Sequence, residues 1–168
     1  MLLALATALA ASPAMALTAP NVVPIDSDLL TAGQPTRESL ADLKNEGVQA
    51  VIYLAPSSVN DAIKEEPEIL RRQEIQFIHI PIPFDGPTAT HVEAVAAALD
   101  KLKGRKTLVH CQVNMRASTM VFLYRVLHRH EDPAKAYEAV TRVWVPAGPW
   151  KLLVKEQLSS HSVKFQPY

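Results

Sequence analysis

The sequence predicts an α/β fold with a mostly parallel central sheet and helices on both faces. Short strand-like runs alternate along the chain with helical segments, the pattern of strand–helix–strand crossovers. Two of the runs, "VQAVIYLA" (48–55) and "KTLVHC" (106–111), are nearly all apolar and rich in β-branched residues, as strands covered on both faces are. The extra helices gather at the C-terminus.

The elements follow in order. "VVPIDSDLLTAGQPT" reads as one or two short strands punctuated by Gly33 and Pro35. A helix follows, with Thr36 as N-cap, Leu40 and Leu43 on one face and Gly47 as the stop. After the strand 48–55, the polar stretch 56–73 reads as a loop and a helix, with "KEEPE" and "LRRQE" as solvated faces. "IQFIHIPIP" (75–83) is the next strand, with Ile75, Phe77 and His79 on one face.

"FDGPT" breaks that strand. In the next helix Thr90 and Glu93 form a capping box, and Val92, Val95, Leu99 and Leu102 form the apolar stripe. The strand "KTLVHC" leads to a strongly apolar helix, "ASTMVFLYRVLHRH". Asp132 and Pro133 open another helix as N-cap and first residue. A last helix lies around Trp150–Leu158.

Hydrophobic residues make up 48% of the 168, so a packed core is expected over disorder. The net charge is zero, which argues against a nucleic-acid-binding protein. The apolar start reaches Ala14-Met15-Ala16, an A-x-A pattern of the kind signal peptidase cuts, although no Lys or Arg precedes it. Residues 1–16 are therefore expected to be a signal peptide and residues 17–168 a single domain. An exported, periplasmic protein follows, with no stable membrane insertion after cleavage. The alternative for the leader is an apolar helix packed on the domain. The histidines show no metal-ligand spacing, so no metal or cofactor is expected.

The single cysteine, Cys111, lies in "TLVHCQVNMRAST". It cannot form an internal disulfide, so it is an inert core thiol or a functional one. The stretch from Cys111 to Arg116 must form a tight loop at the carboxyl edge of the sheet, where open α/β folds bind ligands. Backbone N–H groups converge in such a loop and the helix adds its positive end, which suits an anion. A thiol placed there beside an arginine can fall from ~8.5 into the range ~3.5–7.5 and become a nucleophilic thiolate. Arg116 offers a planar fork that matches two oxygens of a phosphate or sulfate.

These residues resemble the cysteine-dependent protein tyrosine and dual-specificity phosphatases, and within them a bacterial group related to the beta-lactamase-hydrolase-like phosphatases. The resemblance runs through Gly33-Gln34-Pro35, "PIPFD" and "HCQVNMRAS", and more weakly through "RVWVPAGPW". It implies a phosphatase-like three-layer sandwich acting on a phosphorylated protein or small molecule. Cys111 would attack phosphorus to form a cysteinyl-phosphate. Arg116 and the loop residues Gln112, Val113, Asn114 and Met115 would hold the oxygens. Asp85 would be the general acid; the competing role is that of an Asx-turn residue before Gly86-Pro87. His110 would set the loop and the thiolate, with a core histidine as the competing role. Gln34 would shape the site or only the turn.

The loop departs from the tyrosine phosphatase signature. Four residues, not five, separate Cys111 from Arg116. That spacing resembles the rhodanese sulfurtransferases, which would use a Cys111 persulfide. No glycine is present in the loop, and Asn114 stands where phosphatases usually have one; Asn tolerates left-handed backbone. Ala117 replaces the hydroxyl that follows the arginine, with Ser118 one residue later as a stand-in. Phosphate ester hydrolysis, sulfur transfer and a catalytically weak anion-binding module all remain open from sequence.

Overall fold

The computed structural model describes residues 17–168, so the expected signal peptide lies outside the described residues. The elements are β1 (Val23–Pro24), β2 (Leu29–Ala32), α1 (Arg37–Asp42), β3 (Ala50–Tyr53), α2 (Glu66–Arg72) and β4 (Gln76–His79). They continue as α3 (Ala89–Lys101), β5 (Thr107–His110), α4 (Met115–Leu127), α5 (Pro133–Thr141) and α6 (Gly148–Ser160). The sheet runs β1-β2-β5-β3-β4, with β1 antiparallel to β2 and every other pair parallel. The α/β fold with helices on both faces is as the sequence predicts.

β5 is central, and all four of its residues are buried. Its side chains alternate between two apolar layers, as the two-residue period of a strand requires. Leu108 packs with Ala32, Val51, Leu40 of α1, Leu43 just past its end and Leu70 of α2. Val109 belongs to the larger layer under α3, α4, α5 and α6. In α4 every residue except Met115 and Arg125 is buried, which explains why that helix reads as apolar all round.

Local chemistry sets the boundaries. Thr36 Oγ1 accepts from the Ser39 N–H at 3.1 Å, as expected. Asp132 accepts from the Lys135 N–H at 2.9 Å ahead of Pro133. The cap of α3 differs from expectation. It is Thr88, and His91 completes the box by accepting the Thr88 N–H on Nδ1 at 3.1 Å. An imidazole nitrogen here does what Glu or Gln usually does, two residues before Thr90 and Glu93.

β4 is shorter than the run 75–83, because Pro81 and Pro83 cannot donate to a ladder. The chain nevertheless stays against β3: the Ile80 N–H reaches the Tyr53 carbonyl and the Ile82 N–H the Leu54 carbonyl, both at 2.9 Å. This path brings the Ile82–Asp85 segment to the carboxyl edge of the sheet. No described helix is long and apolar enough to cross a membrane.

Candidate active site

β5 ends at His110 and α4 begins at Met115, so Cys111 to Asn114 make the turn between them. The turn is possible because Asn114 takes the left-handed conformation, at φ 71°. Its side chain makes no cap to the helix. Instead Nδ2 donates to the Asn21 carbonyl at 2.6 Å and to Thr31 Oγ1 at 3.0 Å, tying the turn to the β1 side of the sheet. Asn114 thus supplies the backbone geometry that a glycine would.

The other wall of the turn is Gly33, just past β2. It bridges to Val113, and the next N–H, that of Gln34, donates to the Gln112 carbonyl at 2.9 Å. A Cβ at Gly33 would stand 2.6 Å from the Gln112 oxygen and 2.8 Å from Pro20 Cβ. The glycine of "GQP" is therefore required by close approach.

Cys111 lies at the base of the loop with 0% exposure, and its N–H donates to the Ala32 carbonyl at 3.2 Å. Arg116 is the second residue of α4 and only 5% exposed. Its Nε donates to the Ile82 carbonyl at 2.9 Å and its Nη1 to Gln112 Oε1 at 3.3 Å. Its guanidinium lies 5.0 Å from the centre of the Phe84 ring. Among the described residues no carboxylate pairs with it, so a buried cation stands at the start of α4, five residues after the thiol, without a counter-charge. The first N–H groups of α4 have no intrahelical acceptor and add to the positive character there.

Phe84 is fixed from behind by both tryptophans, whose rings lie 5.9 Å from it. Trp150 Nε1 donates to the Phe84 carbonyl at 2.7 Å and Trp144 Nε1 to Thr119 Oγ1 at 3.2 Å. The packing of the two tryptophans holds the aromatic wall of the site.

Asp85 follows Phe84. It is exposed and, among the described residues, makes no hydrogen bond; the turn is closed by the Gly86 N–H on the Pro83 carbonyl at 3.2 Å. The Asx-turn role is thus absent, and the carboxyl sits one residue from the ring that covers Arg116. Ser118 does not stand in for the missing hydroxyl: it is 2% exposed and donates to the Met115 carbonyl at 3.3 Å. Val113 turns its side chain to solvent and Met115 is half-buried.

Behind Cys111 lies a buried polar group in which Glu66 joins His110 and Gln34, the two members that the sequence singles out. His110 Nε2 is 2.7 Å from Glu66 Oε1, at exposures of 0% and 2%. Gln34 Nε2 donates to Glu66 Oε2 at 3.0 Å. Gln34, Glu66 and His110 thus link the three segments around the loop, and Glu66 is no part of a solvated face. Its signal was positional: Glu66 precedes the buried Leu70 by one helical turn.

The Tyr53 ring stacks on His110 at 4.7 Å and on His79 at 5.1 Å. Its hydroxyl is buried without a partner among the described residues. Burial first, then the charges of Glu66, Asp61 and Cys111, push its pKa up to about 12, against the opposing effect of Arg116. Asp61, on the β3–α2 connection, accepts from Gln112 Nε2 at 2.9 Å and was also absent from the sequence reading. Among the described residues no cluster of His, Cys, Asp and Glu could hold a metal ion.

Comparison with known proteins bears on the family and the fold. The family model described as "DSP-PTPase phosphatase fused to NAD+ Kinase" matches residues 23–148. Two crystal structures of a DUF442 phosphatase from Shewanella putrefaciens CN-32 are similar. One is 29% identical at a TM-score of 0.78, over 85% of this chain and 94% of that one. The other is 30% identical at 0.75, over 88% and 92%. The core catalytic domain of the PP-IP phosphatase SIW14 from S. cerevisiae shares the fold, at 14% identity and a TM-score of 0.64, over 91% of this chain and 100% of that one. No curated protein matches the chain.

Proposed function

Because the chain belongs to the DSP-PTPase phosphatase family, whose model spans its residues 23–148, we propose that it hydrolyses a phosphate monoester with Cys111 as the nucleophile. The observation that carries this reading is Arg116, a buried guanidinium with no carboxylate partner at the mouth of the loop that holds the only cysteine. A dianionic phosphoryl group supplies the missing charge, and it suits the fork and the first N–H groups of α4.

In the proposed reaction the Cys111 thiolate attacks phosphorus and the bond to the leaving oxygen breaks. Asp85, protonated, gives its proton to that oxygen. The cysteinyl-phosphate is then attacked by water, whose proton passes to the Asp85 carboxylate. Phosphate leaves and the thiolate is restored. Arg116 holds the phosphoryl oxygens throughout, and the Ile82 carbonyl with the Phe84 ring keeps its plane in place. His110, fixed by Glu66 and stacked on Tyr53, holds the end of β5 from which Cys111 projects.

Family membership does not favour sulfur transfer, despite the four-residue spacing from Cys111 to Arg116. One assay separates the readings. The purified protein is given an aryl phosphate and, separately, thiosulfate with cyanide. Phosphate release that Cys111→Ser abolishes is the expected result. Thiocyanate formation without phosphate release would replace this proposal with the sulfurtransferase, and inactivity in both with phosphate still bound would leave an anion-binding module. The signal peptide and periplasmic destination belong to the same proposal; mature protein beginning near residue 17 in a periplasmic fraction would support them.

A further inference from the structure

A nucleophile must touch its substrate, yet Cys111 is 0% exposed and Arg116 is 5% exposed. The group that occupies the arginine is the carboxamide of Gln112, the residue after the nucleophile. Its Oε1 accepts from Arg116 Nη1 at 3.3 Å, and its Nε2 donates to Asp61 Oδ1 at 2.9 Å. The Nε of Arg116 is committed to the Ile82 carbonyl at 2.9 Å. The fork left for a ligand is therefore Nη1 with Nη2, and one arm of it is held.

We propose that Asp61 and Gln112 form a latch that closes the site over Cys111 and releases when an oxyanion takes the place of the Gln112 carboxamide on Arg116. The inference rests on the phosphoryl reading of the site for its natural ligand. A neutral oxygen at 3.3 Å makes a weak bond to a guanidinium, and an anionic oxygen makes a shorter, charge-assisted bond of roughly twice the strength. Exchange therefore favours the anion. Asp61 opposes it in two ways. It anchors the Gln112 amide, and its negative charge lies against the very group that a dianion must displace. Asp61 is exposed, so it can let go of Gln112 without leaving a buried charge behind. The latch thus sets substrate affinity and admits only groups that bind Arg116 better than an amide does.

Inorganic phosphate is the probe, titrated calorimetrically into wild type, Asp61→Ala and Gln112→Ala, alongside the rate at which iodoacetamide alkylates Cys111. Both variants are expected to bind phosphate about two- to tenfold more tightly, the range that loss of one competing hydrogen bond gives. Both are expected to alkylate faster, and phosphate should protect the thiol. The gain in Asp61→Ala should shrink with added salt, because part of it is charge, whereas that in Gln112→Ala should persist. A variant that is merely looser would alkylate faster without binding phosphate more tightly, and that result overturns the latch. Unchanged or weaker phosphate binding in both variants also overturns it, weaker binding assigning Gln112 and Asp61 to holding the anion. Wild-type protein that hydrolyses an aryl phosphate while the variants bind phosphate unchanged would sink the latch alone. Tighter binding in the variants without hydrolysis by any of them would sink the phosphatase reading and leave the latch.

Discussion

Glu66 Oε1 and His110 Nε2 meet at 2.7 Å in the protein interior, directly behind the residue that carries the thiol. The pair joins the first turn of α2 to the end of β5, and Gln34 completes it from the turn after β2. A buried carboxylate that loses one partner is costly, and so is a partner left alone. Replacing Glu66 by Ala should cost about 3–5 kcal/mol, whereas Glu66→Gln, which keeps the shape and one acceptor for Gln34 and can donate to His110 Nε2 once that ring carries its proton on Nδ1, should cost clearly less. Urea denaturation of the two variants checks the ordering. Equal stabilities would mean that the pair is not what fixes the loop.

Gly33 and the Gln112 carbonyl are in van der Waals contact, and a methyl group does not fit between them. Gly33→Ala should lower stability by about 1–3 kcal/mol, as overpacking does, and should lower aryl phosphate turnover because the displaced atom belongs to the loop from Cys111 to Arg116. Stability and turnover measured on the same preparation check this; turnover unchanged at full stability would contradict it.

Asn114 at φ 71° gives a comparison within one position. Alanine and glycine both remove the bonds to Asn21 and Thr31, and they differ only in tolerance of left-handed backbone. Asn114→Ala should therefore be less stable than Asn114→Gly by about 1–2 kcal/mol, and Asn114→Gly should keep more of the activity. Thermal or urea unfolding of the pair reads the difference directly.

Tyr53 carries a buried hydroxyl with no partner among the described residues, and its pKa is raised to about 12 from the ordinary 10.0. The unfolded chain releases that proton near the ordinary value and the folded chain only near the raised one. Between the two, rising pH favours the unfolded chain, so wild-type stability should fall through that window. Tyr53→Phe should remove this part of the alkaline loss. At neutral pH it should be within about 1 kcal/mol of wild type, because no hydrogen bond is lost. Denaturation midpoints across the alkaline range test it; a large loss at neutral pH would mean that the hydroxyl is paired.

Much of this was legible in the chain itself. The sheet followed from apolar runs such as "VQAVIYLA", because burial on both faces leaves no polar alternation. The left-handed turn followed from Asn114, because few residues tolerate it. The start of α3 was misplaced because an imidazole can take the place of a carboxylate in a capping box, which residue type alone does not reveal. Ser118 is the sequence's stand-in for the hydroxyl that Ala117 lacks, but its helical phase turns it onto the Met115 carbonyl. Glu66 and Asp61 were missed for a different reason. Each reaches the loop from tens of residues away in sequence, and a carboxylate in a charged stretch looks solvated until the fold places it.

The central claim is that Cys111 carries the phosphoryl group. The most direct measurement is rapid quench of Asp85→Asn mixed with an aryl phosphate, followed by mass spectrometry of the peptide that contains Cys111. With proton transfer to and from Asp85 impaired, the account expects phosphate on Cys111, and none in a protein that also carries Cys111→Ser. Phosphate release that proceeds without modification of Cys111, or that survives in Cys111→Ser, would contradict it.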